Sequence, residues 1–238
     1  MNRKLSLNLF ATLTVTALIL ASCGDSPVVL ADVESNGGGA SASSGVGGAS
    51  VVTEHGGIKD TDLVMGSPDA PVTIIEYASM TCSHCAAFAT GVFPQLKTEY
   101  IDTGKVKYVF REFPLDGVAR VASALARCQT GDNFFTFVDL IFYNQQEWLN
   151  GLFGSGQQMT QELVEESLIE FARTAGLGRD QAIACMNNPN NLAVVDENWG
   201  EAQNQYNINA TPGFVINGTT HSGAMPIESF RDIVDPLL

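Results

Sequence analysis

The spacing of apolar residues changes twice between positions 72 and 113. Val72-Thr73-Ile74-Ile75-Glu76-Tyr77 is almost continuously apolar, which predicts a strand buried on both faces and reaching Ala78. Gly66 to Pro71 is a turn-rich lead into it. Cys82 to Tyr100 has the pattern of a helix, kinked by Pro94 and ended by Thr103-Gly104. Lys105 to Phe113 alternates, which predicts a second strand closed by Pro114. Strand, helix and strand in this order predict a βαβ unit with parallel strands and a right-handed crossover.

From Val118 to Tyr206 the pattern is helical. Val118 to Cys128 is rich in alanine. Asn133 to Leu149 carries Phe134, Phe137, Val138, Ile141 and Phe142 at helical spacing. Thr160-Gln161-Glu162-Leu163 opens a third helix, and Gly176 suits its C-terminal stop. Arg179 to Asn187 and Asn190 to Tyr206 follow as two more. The pattern then reverts: Phe214-Val215-Ile216, Asn217-Gly218 and Thr219 to Ser222 carry the signature of a hairpin with a tight Asn-Gly turn. Pro226 starts a last helix, Ile227 to Leu237. The order is βαβ, helical block, ββα, an α/β protein.

Cys82-Ser83-His84-Cys85 stands where the first strand gives way to the first helix. Two cysteines at i and i+3 on a first helical turn can close a disulfide with little rearrangement. The first also meets free N–H groups and the positive end of the helix dipole. Both effects favour a thiolate, the species that attacks, leaves and exchanges disulfides. The other reading of a lone CxxC is half of a four-ligand zinc site. Zinc would want a second pair at similar spacing, and Cys128, Cys185, His55 and His221 offer none.

Not all 238 residues belong to the fold. Arg3-Lys4, an apolar stretch to Leu20 and the small pair Ala21-Ser22 have the layout of a secretory signal over residues 1–22. Leu20-Ala21-Ser22-Cys23 also resembles a bacterial lipobox, in which Cys23 becomes the lipidated first residue; simple cleavage is the plainer alternative. Residues 23–57 have the composition of a tether, with Asn36 to Ser50 almost entirely Gly, Ala and Ser. Such a leash has a typical span of roughly 30–35 Å. An inert spacer of the same composition is the alternative. Residues 58–238 suffice for one domain, with the helical insertion at about 115–207.

The formal charge is −14, and without Arg3 and Lys4 the remainder carries 10 basic against 26 acidic residues, or −16. No Lys/Arg-rich run occurs, which argues against nucleic-acid binding. Export would place the chain where disulfides persist, which makes Cys128 and Cys185 a candidate pair.

The element order, with CxxC after the first central strand, resembles the thioredoxin fold carrying an inserted all-helical subdomain. Asp69 to Tyr77, Cys-Ser-His-Cys and Ala210-Thr211-Pro212-Gly213-Phe214-Val215-Ile216-Asn217-Gly218 together resemble a DsbA-like thiol:disulfide oxidoreductase from about residue 62 to 238. The resemblance implies roles. Cys82 would be the exposed nucleophile and Cys85 the buried resolving cysteine. Pro212 would be the cis-proline beside them, presenting the Thr211 backbone to the sulfurs and to a substrate peptide. Glu76 would be a buried acid whose raised pKa lets it relay a proton to or from Cys85. His84 would tune the Cys82 thiolate through its imidazole. Read without the resemblance, Thr211-Pro212 is an ordinary strand-entry turn, and the alternative for Glu76 is an edge-facing surface glutamate, which a central apolar strand disfavours. Ser83 stands where proline is common in the strongly oxidising members, and Thr211 differs from the valine of the best-known one. Some members carry a second disulfide across the helical subdomain, which for Cys128–Cys185 would contribute roughly 3–4 kcal/mol by loop closure, with a regulatory role as the other possibility.

The activity so implied introduces disulfides into secreted or cell-envelope proteins, without a cofactor. Its partners would be unfolded substrate chains and a DsbB-like, quinone-linked membrane oxidase. The protein would be a monomer, held by lipid in the periplasm or at the outer side of the cell membrane. Met80, Phe88, Phe214 and Met225 are candidates for an apolar substrate surface or for core. The rivals are a reductase or isomerase on the same fold, a zinc- or copper-binding envelope lipoprotein using Cys82, His84 and Cys85, and a peptide-binding chaperone with a vestigial motif.

Overall fold

Strands β1 (Val64–Met65), β2 (Val72–Ala78), β3 (Val106–Glu112), β4 (Gly213–Ile216) and β5 (Thr219–Ser222) form one sheet in the order β1-β3-β2-β4-β5. This is a computed structural model, and it describes residues 57–238 apart from Ser155 and Gln157. The segments expected as a signal (1–22), a lipid site (Cys23) and a tether (up to residue 56) lie outside the described residues. No helix among the described residues is long and apolar enough to cross a membrane.

β2 is buried along its whole length because it has a neighbour on each edge and a cover on each face. It pairs parallel with β3, Glu76 opposite Phe110, and antiparallel with β4, Glu76 opposite Phe214. Alternation along β2 sends Val72, Ile74 and Ala78 into the larger core and Ile75 and Tyr77 into a smaller one. Glu76 shares the period of Ile74 and Ala78, so a carboxyl group enters the larger core.

Helix α1 runs over 83–101. It alternates α turns (Ser83–Ala87, Phe93–Leu96) with π turns (Phe88–Val92, Lys97–Ile101). Pro94 does not break it, because it falls at the junction where a π turn yields to an α turn and the Phe93 N–H reaches back to the Phe88 carbonyl. Phe88 packs on Phe214 at 4.9 Å and on Phe230 at 5.7 Å between ring centroids, which fixes α1 against β4 and the last helix.

The insertion holds α2 (Gly117–Ala126), α3 (Asp132–Tyr143), α4 (Gln145–Phe153), α5 (Gln161–Thr174), α6 (Arg179–Met186) and α7 (Pro189–Asn204). The single helix expected over 133–149 is two: at Asn144 the backbone leaves the helical region, and its side-chain amide donates to the Leu140 carbonyl at 2.7 Å. Ala202 of α7 closes the smaller core with Ile75, Tyr77, Val109 and Val215. Asn217 and Gly218, both at positive φ, make the tight turn between β4 and β5. The chain ends in α8 (Ile227–Val234) and a 3₁₀ turn, Asp235–Leu237.

β3 is alternating in sequence yet buried on both faces, because its polar positions are neutralised internally. Arg111, fully buried, donates to Asp62 and Glu201 and to the Tyr77 hydroxyl, at 2.9 Å to each of the last two. Buried Glu112 accepts two hydrogen bonds from Arg127 at 2.7 Å and one from Asn198.

Candidate active site

The Cys82-Ser83-His84-Cys85 segment is shaped by the end of β2. Ser79-Met80-Thr81 turns the chain, and Cys82, at φ −78° and ψ 119°, takes the capping position of α1. A capping side chain offers an acceptor to the N–H groups of the first turn. Here the acceptor is sulfur: Cys82 Sγ takes the Cys85 N–H at 3.4 Å. The turn is held from outside as well. Gln145 Nε2 donates to the carbonyls of Met80 and Cys82, both at 2.9 Å, and the Thr81 hydroxyl donates to Asp116, the cap of α2. Gln145 carries no mark in the local sequence and Asp116 only that of a helix cap; their hold on the motif is visible only in the three-dimensional contacts.

Pro212 arrives from the far side of the insertion. The Thr211–Pro212 peptide bond is cis, and the Thr211 carbonyl oxygen lies 3.4 Å from Cys82 Sγ, where the thiol donates to it. Cys82, Cys85, Thr211 and Pro212 are thus gathered in one place. Both active-site cysteines are free; Cys82 retains 8% exposure and Cys85 none.

The two sulfurs are driven apart electrostatically. The Cys82 thiol is lowered from its usual range to about 5, chiefly by the Cys85 S–H directed at it. Burial opposes this, and the Thr211 side chain and the N–H groups of Cys85 and His84 add to it. Cys85 is pushed far up, first by burial and then by the neighbouring Cys82. The His84 side chain is exposed, and its backbone N–H is among the groups that lower Cys82.

Glu76 is buried, accepts the Tyr108 hydroxyl at Oε2, and has no hydrogen-bond partner at Oε1. Burial raises it to about 8, against the lowering effect of the Tyr108 hydrogen bond. Cys128 and Cys185 are joined in a disulfide, Cα atoms 5.9 Å apart, which ties the segment after α2 to α6. Among the described residues no group of three or more His, Cys, Asp or Glu side chains is gathered to hold a metal ion.

Met80, Phe88 and Phe214 are core, and Met225 is half-buried against that core, so the first three offer no outer surface. The apolar surface beside the site is another one. Phe113, Pro114, Leu115 and Trp199 line a groove of about 420 Å³ whose rim includes Asp116, the partner of Thr81. Leu115 and Trp199 are exposed there, 53% and 42%.

The sequence profile of the thioredoxin family matches residues 59–236. A protein of Rickettsia conorii assigned by name as a protein-disulfide oxidoreductase is 31% identical over 182 residues, covering 76% of this chain and 62% of its own length. Disulfide bond formation protein D of Bacillus subtilis is 28% identical over 181 residues, covering 72% of this chain and 75% of that protein. The crystal structure of Wolbachia pipientis alpha-DsbA1 superposes with a TM-score of 0.66 at 31% identity, over 76% of this chain and 92% of that one. The chain belongs to the thioredoxin family, among its DsbA-like members. It spans about three-fifths of the length of the rickettsial protein it matches.

Proposed function

We propose that this protein is a thiol:disulfide oxidoreductase that introduces disulfide bonds into exported proteins through Cys82 and Cys85. The observation that carries the reading is the separation of the two thiols: Cys82 lowered to about 5, Cys85 raised well above the usual range. A stabilised Cys82 thiolate stabilises the dithiol form, and a pair with a stable dithiol is a strong oxidant when it is a disulfide.

The reaction runs in two exchanges. A substrate thiolate attacks Cys82 Sγ of the oxidised protein; the new S–S bond forms as the Cys82–Cys85 bond breaks, and Cys85 takes the electron pair and a proton. A second substrate thiolate then attacks the substrate sulfur of the mixed disulfide, and Cys82 departs as a thiolate. The substrate leaves with a disulfide and the protein is left as the dithiol. The cis bond before Pro212 turns the Thr211 carbonyl to the attacked sulfur, where extended substrate backbone can pair beside it. The groove walled by Leu115 and Trp199 suits an apolar side chain of an unfolded substrate. Reoxidation falls to a quinone-linked membrane oxidase of the DsbB kind. Residues 1–22 serve as the signal, Cys23 as the lipid anchor and 23–57 as the leash, so that the domain works outside the cell membrane.

The test is the redox equilibrium of Cys82–Cys85 against glutathione, in a Cys128→Ala/Cys185→Ala background as well as in the native chain. A pair that stays reduced in fairly oxidising buffer supports the oxidase. A pair already oxidised in strongly reducing buffer makes the protein a reductase instead.

A further inference from the structure

The chemistry above needs a proton at Cys85, and Glu76 is the buried acid whose charge acts on that thiol; Tyr108, however, is a group that this chemistry does not use. It stands on β3, 3% exposed, between the rings of Phe93 and Phe135 at 4.8 and 6.2 Å. Its hydroxyl reaches across the sheet face to Oε2 of Glu76, itself 2% exposed. Among the described residues no other hydrogen bond is made to that carboxyl group, and Oε1 has no partner.

We propose that Tyr108 is a positioning residue for proton transfer to Cys85: by donating to Oε2 of Glu76 it leaves the acid proton on Oε1, the oxygen that no other protein group holds. The inference rests on the redox reading of Cys82 and Cys85.

The direction of the hydrogen bond follows from acidity. A phenol is a much weaker acid than a carboxyl group, and burial pushes Tyr108 further up, so the tyrosine keeps its hydrogen and donates it. Of the two oxygens of a neutral carboxyl group, the carbonyl oxygen is the better acceptor. Oε2 therefore takes the carbonyl role and Oε1 carries the hydrogen. A free hydroxyl on Oε1 can be given up without breaking a bond to a third group.

Apart from Tyr108, the charged groups acting on Glu76 favour this protonated form. Cys82, from the turn before α1, and Asp139, from α3, raise its pKa, and the Glu76 charge in turn raises that of Cys85. Asp139 is itself raised to about 6 by burial and is lowered in part by Lys97 of α1. The opposing influence is the Tyr108 hydrogen bond. When a substrate thiolate bonds to Cys82 Sγ, the electron pair of the Cys82–Cys85 bond leaves on Cys85 Sγ. The proton of Oε1 ends on that sulfur, Glu76 is left as a carboxylate, and solvent later restores its proton.

The experiment is infrared difference spectroscopy of the Glu76 carboxyl group in the intact reduced protein, assigned with Glu76→Gln and titrated from pH 6 to 10. In the native protein the carbonyl stretch is expected at the lowered frequency of a hydrogen-bonded acid. In Tyr108→Phe it should move to the position of a free acid, and the pH midpoint of its loss should rise by about one unit or more, a tenfold change in proton affinity. Loss of the hydrogen bond alone would move the band, so the deciding readout is the pH profile of the exchange that releases Cys85: it should shift in Tyr108→Phe and lose that shift in a Glu76→Gln background, and a profile unchanged by Tyr108→Phe overturns the proposal. A free-acid band in the native protein overturns it without recourse to the variant. Cys82→Ser separates this from the parent reading. Dithiol exchange that survives Cys82→Ser overturns both; exchange lost there, with an unmoved midpoint in Tyr108→Phe, overturns the Tyr108 proposal alone.

Discussion

Cys82 Sγ accepts the backbone N–H of Cys85 at 3.4 Å, so the residue that opens the helix is held by the residue that would resolve it. Together with the Cys85 S–H, the larger influence, this contact makes Cys82 a thiolate near neutrality. Alkylation of Cys82 by iodoacetamide is expected to follow a titration with midpoint near pH 5 and to be flat above about pH 6. Cys85→Ala removes the largest lowering influence, and its midpoint is expected about one unit higher or more.

The same lowering couples redox state to pH. The folded pKa of Cys82 lies below its ordinary value of 9.0, so the dithiol gains stability that is fully present above about pH 9 and is lost as pH falls through about 5. The disulfide form has no such group. Melting temperatures of the reduced and oxidised proteins, measured at pH 8, 7, 6 and 5, are expected to shift progressively against the reduced form as pH falls. A difference that does not change with pH would show that the Cys82 thiolate is not stabilised by the fold.

Glu76 has the opposite sign. Its folded pKa, about 8, lies above the ordinary 4.5, so the folded chain holds a proton that the unfolded chain has released over that interval. Stability is therefore expected to fall as pH rises from about 4.5 to 8, at up to about 1.4 kcal/mol per pH unit from this one group. Glu76→Gln, neutral at every pH, should flatten the curve and exceed the native protein in stability at pH 9. Urea titrations at pH 5, 7 and 9 measure both effects.

Much of this architecture was legible in the periodicity. The continuous apolar run of β2, the Asn-Gly turn and the helical spacing of Phe134, Phe137 and Ile141 each follow from local geometry. β1 left no trace because two residues have no period. The break at Asn144 was hidden because apolar residues continue at helical spacing on both sides of it. At the site, the two cysteines and Thr211-Pro212 were readable as residues, and so was Glu76. Gln145 and Tyr108 were not: a glutamine opening a helix and a tyrosine in a strand have ordinary local explanations, and their partners are 63 and 32 residues away.

Arg111 supplies a prediction about the scaffold. It is fully buried and joins Asp62, Glu201 and the Tyr77 hydroxyl, linking β2, β3, α7 and the segment before β1. Removing Arg111 leaves the buried Asp62 carboxylate without its cation, while Glu201 keeps Lys59 at 3.0 Å; loss of one partner of a buried pair costs about 3–5 kcal/mol. Arg111→Met is expected to lose that much in urea unfolding. Arg111→Lys keeps the charge and loses the planar fork that reaches several acceptors at once, so it should recover only part of the loss.

The Cys128–Cys185 disulfide gives the last prediction. It closes a loop with a sequence separation of 57, and through α2 and α6 it restrains helices that pack on one another around Leu125, Ala182 and Met186. On the chain-entropy account, a crosslink over such a loop lowers the entropy of the unfolded chain by an amount equivalent to about 4 kcal/mol. Cys185 and its neighbours Ala182 and Met186 are buried in the larger core, so apolar packing also holds these helices. Cys128→Ala/Cys185→Ala should therefore keep the native circular dichroism spectrum while its unfolding free energy falls by roughly that amount, with a nearly unchanged dependence on urea. A loss of helical signal before unfolding would show instead that the bond is needed to build the insertion, and that its cost cannot be read from loop length alone.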